Sequence, residues 1–517
     1  MIFMGKWLAR SNVMTTAEWM EFRFGSGKSG QAARILSAIS NIVVVIGMII
    51  YFAEGTGKFL SIFLPWSPEI CSILMITAGV IYTSMSGLYG VIFTDIVQEI
   101  IIITASVYIA GKAIFLPNHR EVINFAGEKW NTLSPDWTAE PMHWLHNPDI
   151  YSLFGVCIMF WIIRGIFEGM GGFSGGYLAQ RFYASKGDKN TGLLTFQWIT
   201  LLSIRWPMII GLAFLGMSLA FNNPEIAAIL NNDPEKTMPV VVAMLLPAGI
   251  KGIVIAGFIA AAMSTFDSTV NAGASYWVRD IYPRYINPEA AENQLVKQSW
   301  MSSVLIAAIG AVIAFSISSI NEIWNWITGA LSAGLFAPLI LRWYWWRFNG
   351  TGFAVSTGVR LVSSILISII YPEIPFYISF ITVLTLSLTA GITSSLLTRP
   401  TDKKVLLNFY KKIKPFGFWE PVRSQCNINF VDKVKSENTR DIINTFFAVI
   451  FHLNLFLSGI TLVLHKWDIM FTCSILFILS GIFLYFNWYK YLNNRDSDDV
   501  NIPETKPCHP HAPISRL

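Results

Sequence analysis

Twelve apolar stretches, each close to the length a helix needs to cross a lipid bilayer, dominate this 517-residue chain. A bilayer core about 30 Å thick takes roughly 20 apolar residues per helix, because lipid offers no partner for backbone N–H and C=O groups. The stretches fall near residues 32–53, 71–89, 92–115, 150–172, 192–221, 242–277, 300–320, 323–345, 353–371, 375–397, 441–464 and 468–490. Only the turn-like Ser86-Gly87-Leu88-Tyr89-Gly90 divides residues 71–115, whose length predicts two spans rather than one. Charged residues make up 13% of the chain, against about 25% in an ordinary soluble domain. The expectation is therefore an all-α protein embedded in the lipid bilayer.

Positive residues collect in cytoplasmic loops, so alternate sides of the twelve spans can be compared. With the N-terminus inside, 28 of the 37 Lys and Arg residues fall on the cytoplasmic side. Five fall outside: Lys58, Arg120, Lys129, Lys236 and Lys466. Both termini are predicted cytoplasmic, and the formal charge of +5 reflects orientation in the membrane rather than nucleic-acid binding. Two connections are long, an outer loop at 116–149 and a basic inner loop at 398–440. The apolar Met1 to Leu8 is too short to span and reads as the inner end of a helix. Five scattered cysteines without paired spacing suggest neither a disulfide framework nor a zinc site.

Ionisable residues inside spans are costly and mark function. Asp95 opens the third span, Arg164 and Glu168 lie in the fourth, Arg205 in the fifth, and Asp267 in the sixth. The richest segment runs from Ala260 to Asn271. On a helix, positions i, i+3 and i+4 share a face, so the Ala261 carbonyl and the Ser264 and Thr265 hydroxyls point the same way. Neutral oxygens of this kind suit a hard cation. Asp267 and Ser268, slightly further along, read as a second cation locus or a release path. The competing reading is packing, since membrane Ser and Thr commonly bond their own i−4 carbonyl. The acids Asp267 and Asp95 favour the cation. Glu168-Gly169-Met170-Gly171-Gly172-Phe173-Ser174-Gly175-Gly176 predicts either a broken helix beside a cavity or close helix packing. Glu168 and Tyr177 are candidates for a substrate path. Trp343-Tyr344-Trp345-Trp346 reads as an interfacial aromatic belt.

Several stretches together resemble the sodium:solute symporter family: Thr15 to Gly25, Gly87 to Gln98, Gln180-Arg181-Phe182, and Leu246 to Gly252 running on to Asp280-Ile281-Tyr282. The resemblance implies an inverted five-plus-five helix repeat, with about 12 complete transmembrane helices plus an N-terminal stub, and sodium-driven uptake of a small organic solute. It also implies that Ala261, Ser264 and Thr265 belong to the main sodium site, and that Asp95, Asp267 and Ser268 belong to a second. The family's first core helix should precede residue 15, leaving its second as the stub.

On this basis residues 1–31 form a cytoplasmic segment with the stub, and 32–115 the remaining three helices of the first repeat. Residues 116–149 form the extracellular loop and 150–345 the second repeat of five helices. Two extra helices at 346–397, the basic loop 398–440, two C-terminal helices at 441–490 and a tail at 491–517 follow. The expected setting is the plasma membrane, with sodium, a small solute and lipid as partners. A transport-inactive fragment or a membrane sensor are the alternatives. An enzyme is not expected, because the only membrane-depth histidine is His452, in a late peripheral span.

Overall fold

Backbone groups in runs this apolar find partners only within a helix. The computed structural model describes residues 2–126, 137, 154–171, 176–185, 187–316, 320–327, 332–371 and 374–492, and among them no strand forms. The helices, in chain order, are α1 (Met4–Ser11), α2 (Thr16–Phe24), α3 (Lys28–Leu60), α4 (Pro68–Ile114), α5 (His119–Ala126), α6 (Phe154–Gly171), α7 (Gly176–Tyr183), α8 (Gly187–Asn222), α9 (Pro224–Asn232), α10 (Thr237–Leu245), α11 (Ala248–Ser275), α12 (Glu292–Ala314), α13 (Ile320–Asn325), α14 (Ser332–Tyr344), α15 (Gly350–Ile370), α16 (Phe376–Leu397), α17 (Lys403–Ile413), α18 (Glu420–Arg423), α19 (Ile428–Val463) and α20 (Trp467–Asn487). A π-helical segment, Tyr276–Ile286, prolongs α11. Nine helical segments among the described residues are long and apolar enough to cross a membrane.

Two departures from the sequence expectation have physical causes. The backbone stays helical through Ser86 to Gly90, so α4 is continuous over 47 residues. Each glycine there costs only about 1 kcal/mol of helix propensity, and no proline forces a break. Within 323–345 the described residues are helical in α13 and α14, and residues 328–331 lie outside the described set. The basic segment 398–440 is largely helical, supplying α17, α18 and the first turns of α19.

Half of the expected aromatic belt is core, and Trp345 and Trp346 are half-buried against it. Trp343 is buried and Tyr344 nearly so, because α1, α2 and the α17–α18 segment cover them with Trp7, Trp19, Phe409, Phe416 and Trp419. Trp19 lies 4.4 Å from Trp343, ring centroid to centroid. A second apolar cluster joins α3, α4, α11 and α12 through Ile49, Met75, Phe266 and Ile306. A third joins α4, α8, α10 and α11 through Ile109, Phe214, Val241 and Val254.

Buried and half-buried ion pairs tie the ends of the bundle together. Arg34 in α3 donates from Nε and Nη2 to Asp280 Oδ1, at 2.8 and 2.5 Å, while the Thr15 hydroxyl donates to Asp280 Oδ2 at 3.2 Å. Lys6 in α1 pairs with Asp441 at 2.6 Å and Glu437 at 3.1 Å, both in α19. Arg10 bridges Glu437 and Asp188 of α8. At the opposite end Lys58 pairs with Glu235 at 2.6 Å and Glu54 at 3.4 Å.

Candidate cation site between α4 and α11

Small residues let α11 approach α4 closely. A Cβ on Gly257 would sit 3.3 Å from Ile101 Cγ2, and one on Gly79 only 2.6 Å from the Phe266 ring. Polar side chains of α11 therefore reach across to α4 rather than to lipid.

Two such links form. The Ser264 hydroxyl donates to Asp95 Oδ1 at 2.5 Å, joining residues 169 positions apart. One turn further on, Asp267 is 1% exposed, and its Oδ1 accepts from the Thr83 hydroxyl, which also lies 2.7 Å from the Gly79 carbonyl. Asp95 is shared: its Oδ2 accepts from Arg181 Nη2 of α7 at 3.3 Å. One carboxylate thus connects three helices.

The remaining predicted residues are distributed unevenly around these links. Thr265 donates to the Ala261 carbonyl at 3.0 Å, so both lie on one helix face, and this bond is the local one the packing reading expects. Ser268 is half-buried one turn beyond Ser264, on the same face. Glu168 lies apart from the cluster, 3.7 Å from Arg164 on its own helix. The Tyr177 side chain is outside the described residues. Of the glycine-rich stretch, Glu168 to Gly171 belong to α6 and Gly176 to α7, and residues 172–175 are outside the described set.

The cluster offers oxygen to a cation. Asp267 Oδ2 is buried without a hydrogen-bond partner, and an orphaned buried acceptor is costly unless something positive satisfies it. Carboxylate, hydroxyl and carbonyl oxygens are the donor set that hard cations prefer, so the residues present fit a sodium-sized ion. Asp95 and Asp267 lie within electrostatic reach of each other, and a cation between them relieves their repulsion.

Sequence reasoning did not single out two participants. Arg181 lies within a stretch that carries the family resemblance, but periodicity gave no reason to bring it to Asp95. Thr83 sits in an apolar run with no distinguishing signal.

The sequence profile of the sodium:solute symporter family matches residues 1–359. The chain belongs to the sodium:solute symporter family. A sodium/proline symporter of Haemophilus influenzae is 25% identical over 354 residues, covering 66% of this chain and 65% of that protein. A sodium/glucose cotransporter of Vibrio parahaemolyticus is 22% identical over 348 residues, covering 63% and 61% respectively. The chain spans less than two thirds of the length of these relatives. A solved structure of a Na+-coupled sialic acid symporter, in a substrate-bound outward-open state, superposes with a TM-score of 0.56 at 20% identity. It covers 78% of this chain, and 84% of that chain is matched. The two share a fold, and the family's members are transporters.

Proposed function

We propose that this symporter-family chain couples inward movement of sodium to uptake of a small organic solute across the plasma membrane. The observation that carries the reading is the Ser264–Asp95 link beside the orphaned Asp267 Oδ2, because it gathers anionic and neutral oxygens from α4 and α11 in the interior of the bundle. Sodium binds against Ser264, Thr265 and the Ala261 carbonyl, and a second locus uses Asp95, Asp267 and Ser268. Each inward sodium gains about 2.3 kcal/mol per 100 mV of membrane potential, so two coupled ions concentrate solute far more than one. Both termini lie on the cytoplasmic side, consistent with the distribution of Lys and Arg. The relatives' solutes, proline and glucose, mark the class of molecule to screen first.

The test is sodium-dependent uptake in proteoliposomes, alongside sodium-dependent thermal stabilisation of the purified chain. Ser264→Ala with Thr265→Ala should abolish both. Unchanged sodium stabilisation in that double variant would rule out the site assignment.

A further inference from the structure

Two arginines at the end of the bundle that carries α2 and α17 are each 0% exposed, and only one of them is electrostatically accounted for. Arg23 sits beneath the end of α14, where its Nε donates to the Arg342 carbonyl at 2.9 Å. Its Nη2 reaches the carbonyls of Trp345 at 3.2 Å and Phe348 at 3.3 Å. Carbonyls at a helix C-terminus carry the negative end of the helix dipole. The guanidinium also lies about 5 Å from the Phe409 and Trp419 rings. Its charge is answered by backbone and aromatic faces.

Arg342 lacks such an answer. Its guanidinium carbon lies 4.3 Å from the Trp19 ring centroid and 5.4 Å from that of Trp343. Of its N–H groups, only Nη2 reaches an acceptor, the Gly171 carbonyl at 3.4 Å, and Nε and Nη1 have none. No carboxylate among the described residues lies within ion-pairing distance of it. The acids of neighbouring elements are engaged elsewhere: Asp280 with Arg34 and Thr15, and Glu18 with the Met14 amide at 2.8 Å. Stacking on aromatic rings offsets only part of the cost of a buried, unpaired charge.

The groups around Arg342 deepen the imbalance. The Trp19 indole Nε1 is buried without a hydrogen-bond partner, and the buried Tyr183 and Tyr276 hydroxyls share a single hydrogen-bonding neighbour, the Thr16 hydroxyl. Both phenols are electrostatic neighbours of the guanidinium. Trp19 belongs to α2, Tyr183 to α7, Tyr276 to the π segment and Arg342 to α14. Four elements thus present groups able to donate hydrogen bonds around an uncompensated charge, and the acceptors beside them, the Gly171 carbonyl and the Thr16 hydroxyl, are neutral.

We propose that Arg342, Tyr183, Tyr276 and Trp19 hold a small monovalent anion of the halide class. One uncompensated positive charge calls for one negative charge, and complete burial favours a compact ion over a bulky carboxylate. Because the shell is divided among four elements, the ion binds only while their ends are together. It therefore stabilises that closed packing, independently of the cation cluster between α4 and α11.

The test uses the purified full chain at fixed sodium and fixed ionic strength, with gluconate replaced stepwise by chloride or bromide. The melting temperature should rise saturably with either halide. Arg342→Gln should remove the response. Because that variant leaves a polar group in the core and risks misfolding, Tyr183→Phe with Tyr276→Phe provides the second arm. It keeps both rings and should raise the half-saturating halide concentration by at least roughly tenfold, as expected for the loss of hydrogen bonds to a charged group. Bromide soaked into crystals should give an anomalous peak beside Arg342. Equal melting temperatures in gluconate and chloride, or water alone at that position, would overturn the proposal. Sodium titration in gluconate reports separately on the cation cluster, so failure of one reading leaves the other testable.

Discussion

His119 and His465 stack face to face, with ring centroids 3.7 Å apart and planes inclined by 6°. Each donates from Nε2 to a carbonyl beside the other, His119 to Val463 at 2.9 Å and His465 to Ile114 at 2.8 Å. The pair fastens the α4–α5 turn to the α19–α20 turn. Burial, opposed by the hydrogen bond to Val463 and reinforced by His465, lowers the His119 pKa from its ordinary value of 6.5. A base lowered in this way binds fewer protons folded than unfolded, so its contribution is complete above pH 6.5 and is lost as pH falls through the lowered value. The melting temperature should therefore fall between pH 7 and 5, and His119→Phe, which keeps a ring, should flatten that part of the profile. An unchanged profile in the variant would remove His119 as the cause.

Arg181 is half-exposed where it meets Asp95. Exposed ion pairs of this kind are worth about 0.2–1 kcal/mol, so the arginine is a weak competitor for the carboxylate. Arg181→Gln should lower the sodium concentration for half-maximal stabilisation by roughly two- to fivefold. A rise would mean that the arginine supports the cation instead. Asp95→Asn should abolish the dependence on residue 181, and a double-mutant cycle measures the coupling.

Lys6 is 3% and Asp441 1% exposed, so removing one partner strands a charge. Lys6→Ala should cost about 3–5 kcal/mol, whereas Lys6→Met combined with Asp441→Leu should recover most of it. Unfolding in mixed detergent provides the comparison. Equal losses in the single and double variants would mean that side-chain packing, not charge, dominates.

Gly310 marks the tightest crossing of α12 over α3. A Cβ there would lie 2.5 Å from Ile49 Cγ2 and 2.7 Å from its Cβ. A β-branched side chain has little freedom to move away, so Gly310→Ala should destabilise by about 1–3 kcal/mol. Adding Ile49→Ala should restore part of this, as judged by melting temperature.

Much of the bundle was legible because helices such as α3, α15, α16 and α20 are single apolar runs whose ends coincide with polar or proline residues. The continuity of α4 was not, since Gly87 and Gly90 have the composition of a turn and only their surroundings decide otherwise. Trp343 and Tyr344 resembled an interfacial belt because the residues that bury them, Trp7, Phe409 and Trp419, lie far away in sequence. The same limit applies to the cation cluster. The shared face of Ala261 and Thr265 follows from helical periodicity, but the meeting of Ser264 with Asp95 depends on how two helices cross. Arg342 was counted as an inner-loop charge because nothing local distinguishes a solvated arginine from a buried one.

The family profile ends at residue 359, well before α19, yet α19 supplies Glu437 and Asp441 to Lys6 and Arg10 of α1. The C-terminal helices therefore function as a matched key rather than an interchangeable accessory. A chimera that imports this helix pair from a relative must import the acids with it or replace both basic residues, and substitutions at the two ends of the chain are expected to covary.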